Sequence, residues 1–322
     1  MSQLASLGAA LLVLAGVRAR SRQRFALGGA IPSMGFVVDT SSEGVTQDVQ
    51  HVVSMLVPDW PRGKNVKVTQ MTGGQTNLLF KVTSPVQSVL VRVYGANTEA
   101  FIDRELECRV LGALSARGVG PTLFGTFDNG RIEGFFDSSR SLEFAELPQT
   151  SPVDFSKLIA VELARLHGLA AMPVPHQAQI WEVIDDWLPL AGQVNFVDDG
   201  ARQAALLALD LPSFAKEVEW LKTQLPSPLN QHGRSLVPQH TGDRAAAFAM
   251  DIVFCHNDLN ASNVLYLAKE QRCQFIDFEY GGYNYRAFDM ANHLVGAFSW
   301  FLASSARDLT RTRAHAHRVC RV

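Results

Sequence analysis

Asp258, Asn263 and Asp277 are the residues whose types and spacing could make a reaction centre. The polar run His256-Asn257-Asp258-Leu259-Asn260-Ala261-Ser262-Asn263 follows a short apolar run, residues 252–255. Residues 264–267 and 273–276 are two more strand-like runs, flanking Lys269-Glu270-Gln271-Arg272, which is the pattern of an antiparallel hairpin. A hairpin returns its ends to one place. Asn263, just before it, and Asp277, just after it, are therefore expected side by side, with Asp258 on the loop leading in. That set suits phosphoryl transfer from a nucleotide: one Asp accepts the acceptor hydroxyl's proton, while an Asn and a second Asp hold magnesium (Mg2+) on the phosphates through hard oxygen ligands. The pattern H-x-D-x-x-x-x-N followed by a strand-borne Asp-Phe is far more specific than an isolated Asp–Asn pair; the competing reading is a structural turn rich in Asn and Asp. His256 is expected to shape the loop and need not be the base, and His167 to make a structural hydrogen bond. Asp289 and His293 would either brace the loop or serve an ordinary helix end.

Matching parts lie in the first half. Gly73 and Gly74 allow backbone to approach a phosphate closely, and Gln75, Thr76 and Asn77 add donors; alone, Gly-Gly more often marks a plain hairpin. Arg92 stands inside an apolar strand, where a cation facing a cleft can clamp phosphates, with Glu105 to orient it. The competing reading is an arginine snorkelling from an edge strand.

The elements that must position these residues follow from the pattern. Residues 66–71, 78–82 and 88–94 read as strands; in the third, Val89, Val91 and Val93 share one face and Leu90, Arg92 and Tyr94 the other. Residues 99–117 read as a helix with Ile102, Leu106, Val110 and Leu114 on its apolar stripe. Residues 123–127 and 131–136 are two further strands joined at Asp128-Asn129-Gly130. The second half is more helical. A helix capped by Ser151, with Pro152 in its first turn, carries Phe155, Leu158, Ile159, Leu163 and Leu166 on one face. Residues 201–225 give another helix, and 226–244 read as a loop.

Composition bounds the rest. The chain has 322 residues, 47% hydrophobic and 19% charged, enough to bury a sizeable core, and a net charge of −2, which offers no whole-chain attraction to nucleic acid or to anionic membranes. Its four cysteines show neither C-x-x-C nor zinc-site spacing, which fits a reducing, cytoplasmic setting. Residues 4–17 are almost wholly apolar and are followed by Arg18, Arg20, Arg22 and Arg24. That run is too short for a membrane span, and residues 1–42 are read as an extension, disordered or transit-like.

Three segments resemble the choline/ethanolamine kinase family: Val253-Phe254-Cys255-His256-Asn257-Asp258-Leu259, Phe275-Ile276-Asp277-Phe278-Glu279-Tyr280, and Tyr283-Asn284-Tyr285-Arg286-Ala287-Phe288-Asp289. Val89-Leu90-Val91-Arg92-Val93-Tyr94-Gly95, Arg104-Glu105 and residues 118–121 match as well, so the resemblance runs from about residue 45 to His293. It implies an α+β, protein-kinase-like fold with a small β-rich N-lobe (residues 43–136) and a larger, mainly helical C-lobe (137–303), before an Arg-rich tail (304–322). It implies ATP- and magnesium-dependent phosphorylation of ethanolamine or choline, toward a phospholipid head group. Asp258 would be the catalytic base, and Asn263 and Asp277 the metal ligands. Gln75, Thr76, Asn77 and Arg92 would contact ATP with Glu105 in support, and Asp258, Asn260 and Glu279 would meet the amino alcohol. Asp258-Leu259 and Gly281-Gly282-Tyr283-Asn284 look more similar to ethanolamine kinases. The expected partner is the small amino alcohol, without nucleic acid or stable membrane insertion, and a homodimer is allowed.

The chain departs from the family after His293. Leu294 stands where the family has Phe, Gly296 where it has a pocket Glu, and the family's following aromatic helices are replaced by an apolar stretch and the Arg-rich tail. A frameshifted or alternatively spliced end is one reading of that departure. It leaves two rival functions: a catalytically impaired nucleotide-binding relative, and a kinase of another small hydroxyl compound such as an aminoglycoside, against which the segment 283–289 argues.

Overall fold

A computed structural model describes residues 30–61, 65–71, 77–95, 103–147, 150–225 and 244–295. Its first half is a six-stranded sheet in the order β1-β5-β6-β4-β3-β2. The strands are β1 (Ser33–Met34), β2 (Lys67–Met71), β3 (Asn77–Thr83), β4 (Ser88–Tyr94), β5 (Leu123–Phe127) and β6 (Gly130–Gly134). All pairs are antiparallel except β1 with β5. Strand β4 lies inside the sheet, paired with β3 on one edge and β6 on the other. Val89, Val91 and Val93 are buried under helix α1 (Val45–Leu56), whose Val49, Val52, Val53 and Leu56 recur at helical spacing. Each such side chain contributes about 1.5–3 kcal/mol by leaving water. Gly130, which opens β6, has no room for a side chain: a Cβ there would sit 2.3 Å from the Arg92 carbonyl oxygen.

The sheet starts earlier than expected. Part of the extension expected over residues 1–42 belongs to the sheet: Ser33 and Met34 pair with Thr126 and Phe127, and Val38 is buried. The reason is Asn129 in the β5–β6 turn. Its side chain accepts from the Val38 amide (3.0 Å) and donates to the Val38 carbonyl (2.9 Å), acting as a substitute strand partner.

Helix α2 (Arg104–Ala116) is capped by Asp103, which accepts from the Leu106 amide. Its Val110, Ala113 and Leu114 belong to a second core, with Phe155, Ile159, Leu166, Phe254 and Phe275. Helix α3 (Phe155–His167) starts at Asp154, whose carboxylate accepts from the Lys157 amide, and not at Ser151. After α4 (Ile180–Ala191), the single helix expected over 201–225 is two, α5 (Gly200–Leu207) and α6 (Leu211–Gln224). Asp210 breaks it with a left-handed backbone (φ 48°) and caps Ser213, and Pro212, which has no N–H to donate, fits the first turn of the new helix.

A short helix α7 (Arg244–Ala249) leads into the strands that carry the site. These are β8 (Ile252–Cys255), β9 (Val264–Leu267), β10 (Arg272–Phe275) and β11 (Gly282–Tyr285). β9 and β10 form the expected hairpin, extended by β7 (Ser139–Ser141), and β8 pairs with β11. Helix α8 covers residues 286–295. The expectations for residues 1–29, 226–243 and 296–322 lie outside the described residues.

Candidate active site

The register of the hairpin brings the reaction-centre residues together. Val264 faces Phe275, and one step further out the Ile276 amide donates to the Asn263 carbonyl (3.1 Å). Asp277 is the next residue, so Asn263 and Asp277 are neighbours. Asp277 and Asn257 both have φ 65°, a conformation that residues other than glycine adopt seldom and that tends to be kept at functional sites. Asp258 Oδ2 accepts from Asn263 Nδ2 (3.1 Å) and Asn260 Nδ2 (3.3 Å), two donors that fix the carboxylate plane. Burial pushes the Asp258 carboxyl above its ordinary range, and the negative charge of Asp277 adds to this; His256 and the two amides oppose it. Asn260 uses both ends of its amide within the protein, because its oxygen caps the short 3-10 turn Ala261–Asn263 through the Ser262 amide.

Asp289, His256 and His293 hold this loop. Asp289, on α8 and fully buried, accepts from the amides of His256 (2.8 Å) and Asn257 (2.7 Å) and sits 3.0 Å from His167 Nε2 at the end of α3. A buried carboxylate demands partners, and here they are the backbone of the polar loop itself. His256 faces the Ile276 carbonyl with Nε2 (2.8 Å) and the Asp258 amide with Nδ1 (3.3 Å). A carbonyl only accepts and an amide N–H only donates, so the proton is on Nε2. The ring thereby bridges the residue after it by two and the residue before Asp277. His293 meets the Leu259 carbonyl (3.2 Å). A further close set is His167, Cys255 and Asp289; its Asp289 is engaged by His167 and the two loop amides, and burial pushes the Cys255 thiol up.

The sheet contributes Arg92. Its Nε lies 3.3 Å from Glu133 Oε1, and its Nη1 3.6 Å from Asp277 Oδ1. Glu105, expected to orient Arg92, does not: it is exposed and pairs with Arg109, one turn along α2 (2.8 Å). The acid that α2 turns inward is Glu107, paired with Arg104 (2.8 Å) and Arg131 (2.8 Å). Asn77 is buried and accepts from Arg104 Nη2 (3.2 Å). Gly73, Gly74, Gln75 and Thr76 lie outside the described residues. Glu279 is pushed up to about 7 by burial and by the charges of Asp277 and Glu107, against Arg92 and Arg104. It thus stands within electrostatic reach of both halves of the molecule.

The residues fit a divalent cation. Asp277 Oδ1 is a buried carboxylate oxygen with no hydrogen-bond partner among the described residues. Asn263 donates from its amide nitrogen to Asp258, which leaves its carbonyl oxygen as a neutral ligand. Glu107, Arg131 and Glu133 were not singled out in the sequence. The available signals were positional: Glu107 precedes Val110 by three residues and Leu111 by four, and Arg131 and Glu133 alternate about the fully buried Ile132.

A strand sheet over a helical half, with an Asp-bearing loop and a hairpin-borne Asp between them, is a protein-kinase-like fold. Solved structures agree. An ethanolamine kinase of Plasmodium vivax superposes with a TM-score of 0.61 at 23% identity, covering 81% of this chain and 70% of that one. A choline kinase of Cryptosporidium parvum gives 0.59 at 23%, covering 78% and 69%. The choline/ethanolamine kinase family model matches residues 68–301, and the chain belongs to that family. It is 32% identical over 273 residues to a probable ethanolamine kinase of Arabidopsis thaliana, covering 82% of this chain and 66% of that protein. It is 30% identical over 281 residues to the ethanolamine kinase of Saccharomyces cerevisiae, covering 79% and 51%. The chain therefore spans from about half to just under two thirds of the length of these relatives.

Proposed function

We propose that the protein transfers the terminal phosphoryl group of ATP, with magnesium, to the hydroxyl of ethanolamine. The observation that carries this reading is the constellation around Asp258: a desolvated carboxylate, fixed by Asn260 and Asn263, beside Asp277 with its unsatisfied buried oxygen. Asp258 accepts the hydroxyl proton as the substrate oxygen forms its bond to phosphorus and the bond to the ADP oxygen breaks. Burial raises its carboxyl above the ordinary range, which makes the charged form a better base. Asn260 acts through Asp258, since its amide is already engaged there. Asn263 and Asp277 would hold magnesium, which when bound neutralises charge on the phosphates. Arg92 would meet phosphate oxygens with its guanidinium, and Asn77, Gln75 and Thr76 would be further nucleotide contacts. Glu279 is assigned to the ammonium end of the acceptor.

Ethanolamine is favoured over choline by the names of the relatives reported above and by the residues around Asp258-Leu259 and Gly281-Gly282. The three described cysteines, Cys108, Cys255 and Cys273, are buried and unpaired, which suits a cytoplasmic enzyme. No helix among the described residues is long and apolar enough to cross a membrane. A competition assay with both amino alcohols decides the acceptor: ethanolamine is expected to show the higher kcat/KM, and the reverse order would make this a choline kinase.

A further inference from the structure

The pairing of β4 with β6 places Arg92 directly opposite Arg131, and both are buried. Like charges facing each other across two strands repel, and a buried charge without a partner is costly. What makes this pair tolerable is Glu133, on the same face of β6. Its Oε1 lies 3.3 Å from Arg92 Nε and 2.6 Å from Arg131 Nε. Arg131 is itself held from the other side, with Nη2 2.8 Å from Glu107 Oε1 on α2. Arg104 continues the series, with Nη1 2.8 Å from Glu107 Oε2 and Nη2 3.2 Å from Asn77 Oδ1. Signs alternate along the file Arg104, Glu107, Arg131, Glu133, Arg92, Asp277. Through Arg104 it touches Asn77, the first residue of β3, and it ends at the aspartate assigned to the metal.

We propose that Glu133, locked by Arg131, is a positioning residue that holds Arg92 back from Asp277, leaving the aspartate for the metal and the guanidinium for the nucleotide phosphates. This rests on the kinase reading above. At 3.6 Å, the contact of Arg92 Nη1 with Asp277 Oδ1 is longer than a hydrogen bond. The Nε contact to Glu133 is the shorter of the two carboxylate contacts that Arg92 makes among the described residues. If Glu133 loses its charge, Asp277 is the carboxylate left in contact with Arg92, and Arg92 closes onto the oxygen that magnesium would use. Arg131 cannot follow it, since Glu107 retains it. The buried carboxyl of Glu133 is held below its ordinary range because Arg131 and Arg92 outweigh the effect of burial, so it is charged in neutral solution.

The test is a double-mutant cycle read by calorimetric titration of MgATP, without any acceptor. Glu133→Gln is expected to weaken MgATP by about tenfold, the scale of one charged hydrogen bond, and to raise the magnesium needed for half-saturation. Arg92→Met is expected to weaken it too, and adding Glu133→Gln to Arg92→Met should change nothing further, because Glu133 acts through Arg92. If Glu133→Gln does not fold, Glu133→Asp serves the same cycle: its shortened carboxylate should weaken MgATP when Arg92 is present and not in the Arg92→Met background. Unchanged affinity in the single variant, or an equal loss in both backgrounds, would overturn the inference while leaving the kinase reading intact. A wild-type chain that does not bind MgATP would overturn the kinase reading, and this inference with it.

Discussion

Asp277 is held open by geometry. Its Oδ1 is buried without a hydrogen-bond partner among the described residues, and its backbone takes a left-handed turn immediately after the hairpin. Arg92 Nη1, at 3.6 Å, is too far to hydrogen-bond that oxygen, and a cation that meets it closely would offset the cost of its burial. Asp277→Ala is therefore expected to leave a folded protein whose ATP affinity no longer responds to magnesium. Calorimetry with and without the metal checks this, and an unchanged magnesium dependence would place the metal elsewhere. At this scale the sequence was informative where local chain geometry decides: the hairpin makes Asn263 and Asp277 neighbours whatever surrounds it. It was misleading at Glu105. Two residues along a helix is about 200° of rotation, so Glu105 and Glu107 point to nearly opposite sides. The extent of the apolar stripe alone did not settle which of them faces the sheet; the positions of Arg131 and Glu133, on a distant strand, do.

Helix α2 is the element that connects the two halves. Its Val110, Ala113 and Leu114 pack in the core of the helical half, while its Glu107 reaches Arg131 in the sheet. Burial alone would raise the carboxyls of Glu107 and Glu133. Arg131, aided by Arg104 at the first and Arg92 at the second, outweighs it and holds both below the usual carboxylate range. Such groups stabilise the fold above their unfolded-state pKa, about 4.3 for Glu, and that contribution is lost as pH falls through the lower folded-state value. Urea unfolding of the wild type and of Glu107→Gln should differ most near neutrality and converge as the pH drops below the ordinary Glu range. A difference independent of pH would mean that Glu107 contributes packing and not charge. The strands β2 to β6 were legible from alternation. β1 and β11 were not, because each is short and exists through its partner: Asn129 and β5 for the first, β8 for the second. The break at Asp210 was hidden because the apolar spacing continues across it, although Pro212 marks it.

On the scale of the whole molecule, the sheet supplies cations and the helical half supplies carboxylates, and they meet at Arg92 and Asp277. The kinase-like architecture was legible because its motifs sit at element ends, where strand order fixes their neighbourhood. The file of charges from Arg104 to Asp277 was not legible: Arg104–Glu107 and Arg131–Glu133 are local pairs, but the links that join α2, β6 and β4 are tertiary contacts. The chain covers from about half to just under two thirds of the relatives reported, so activity has to be measured on this chain itself. The most direct measurement follows labelled phosphate from the terminal position of ATP into ethanolamine, with the purified wild-type chain and with Asp258→Asn. The account predicts magnesium-dependent formation of phosphoethanolamine by the wild type. It predicts a loss of about a hundredfold or more in the variant, the usual range for removing a general base, with MgATP affinity nearly unchanged. Transfer at near-normal rate by Asp258→Asn, or none by a wild type that binds MgATP, would contradict it.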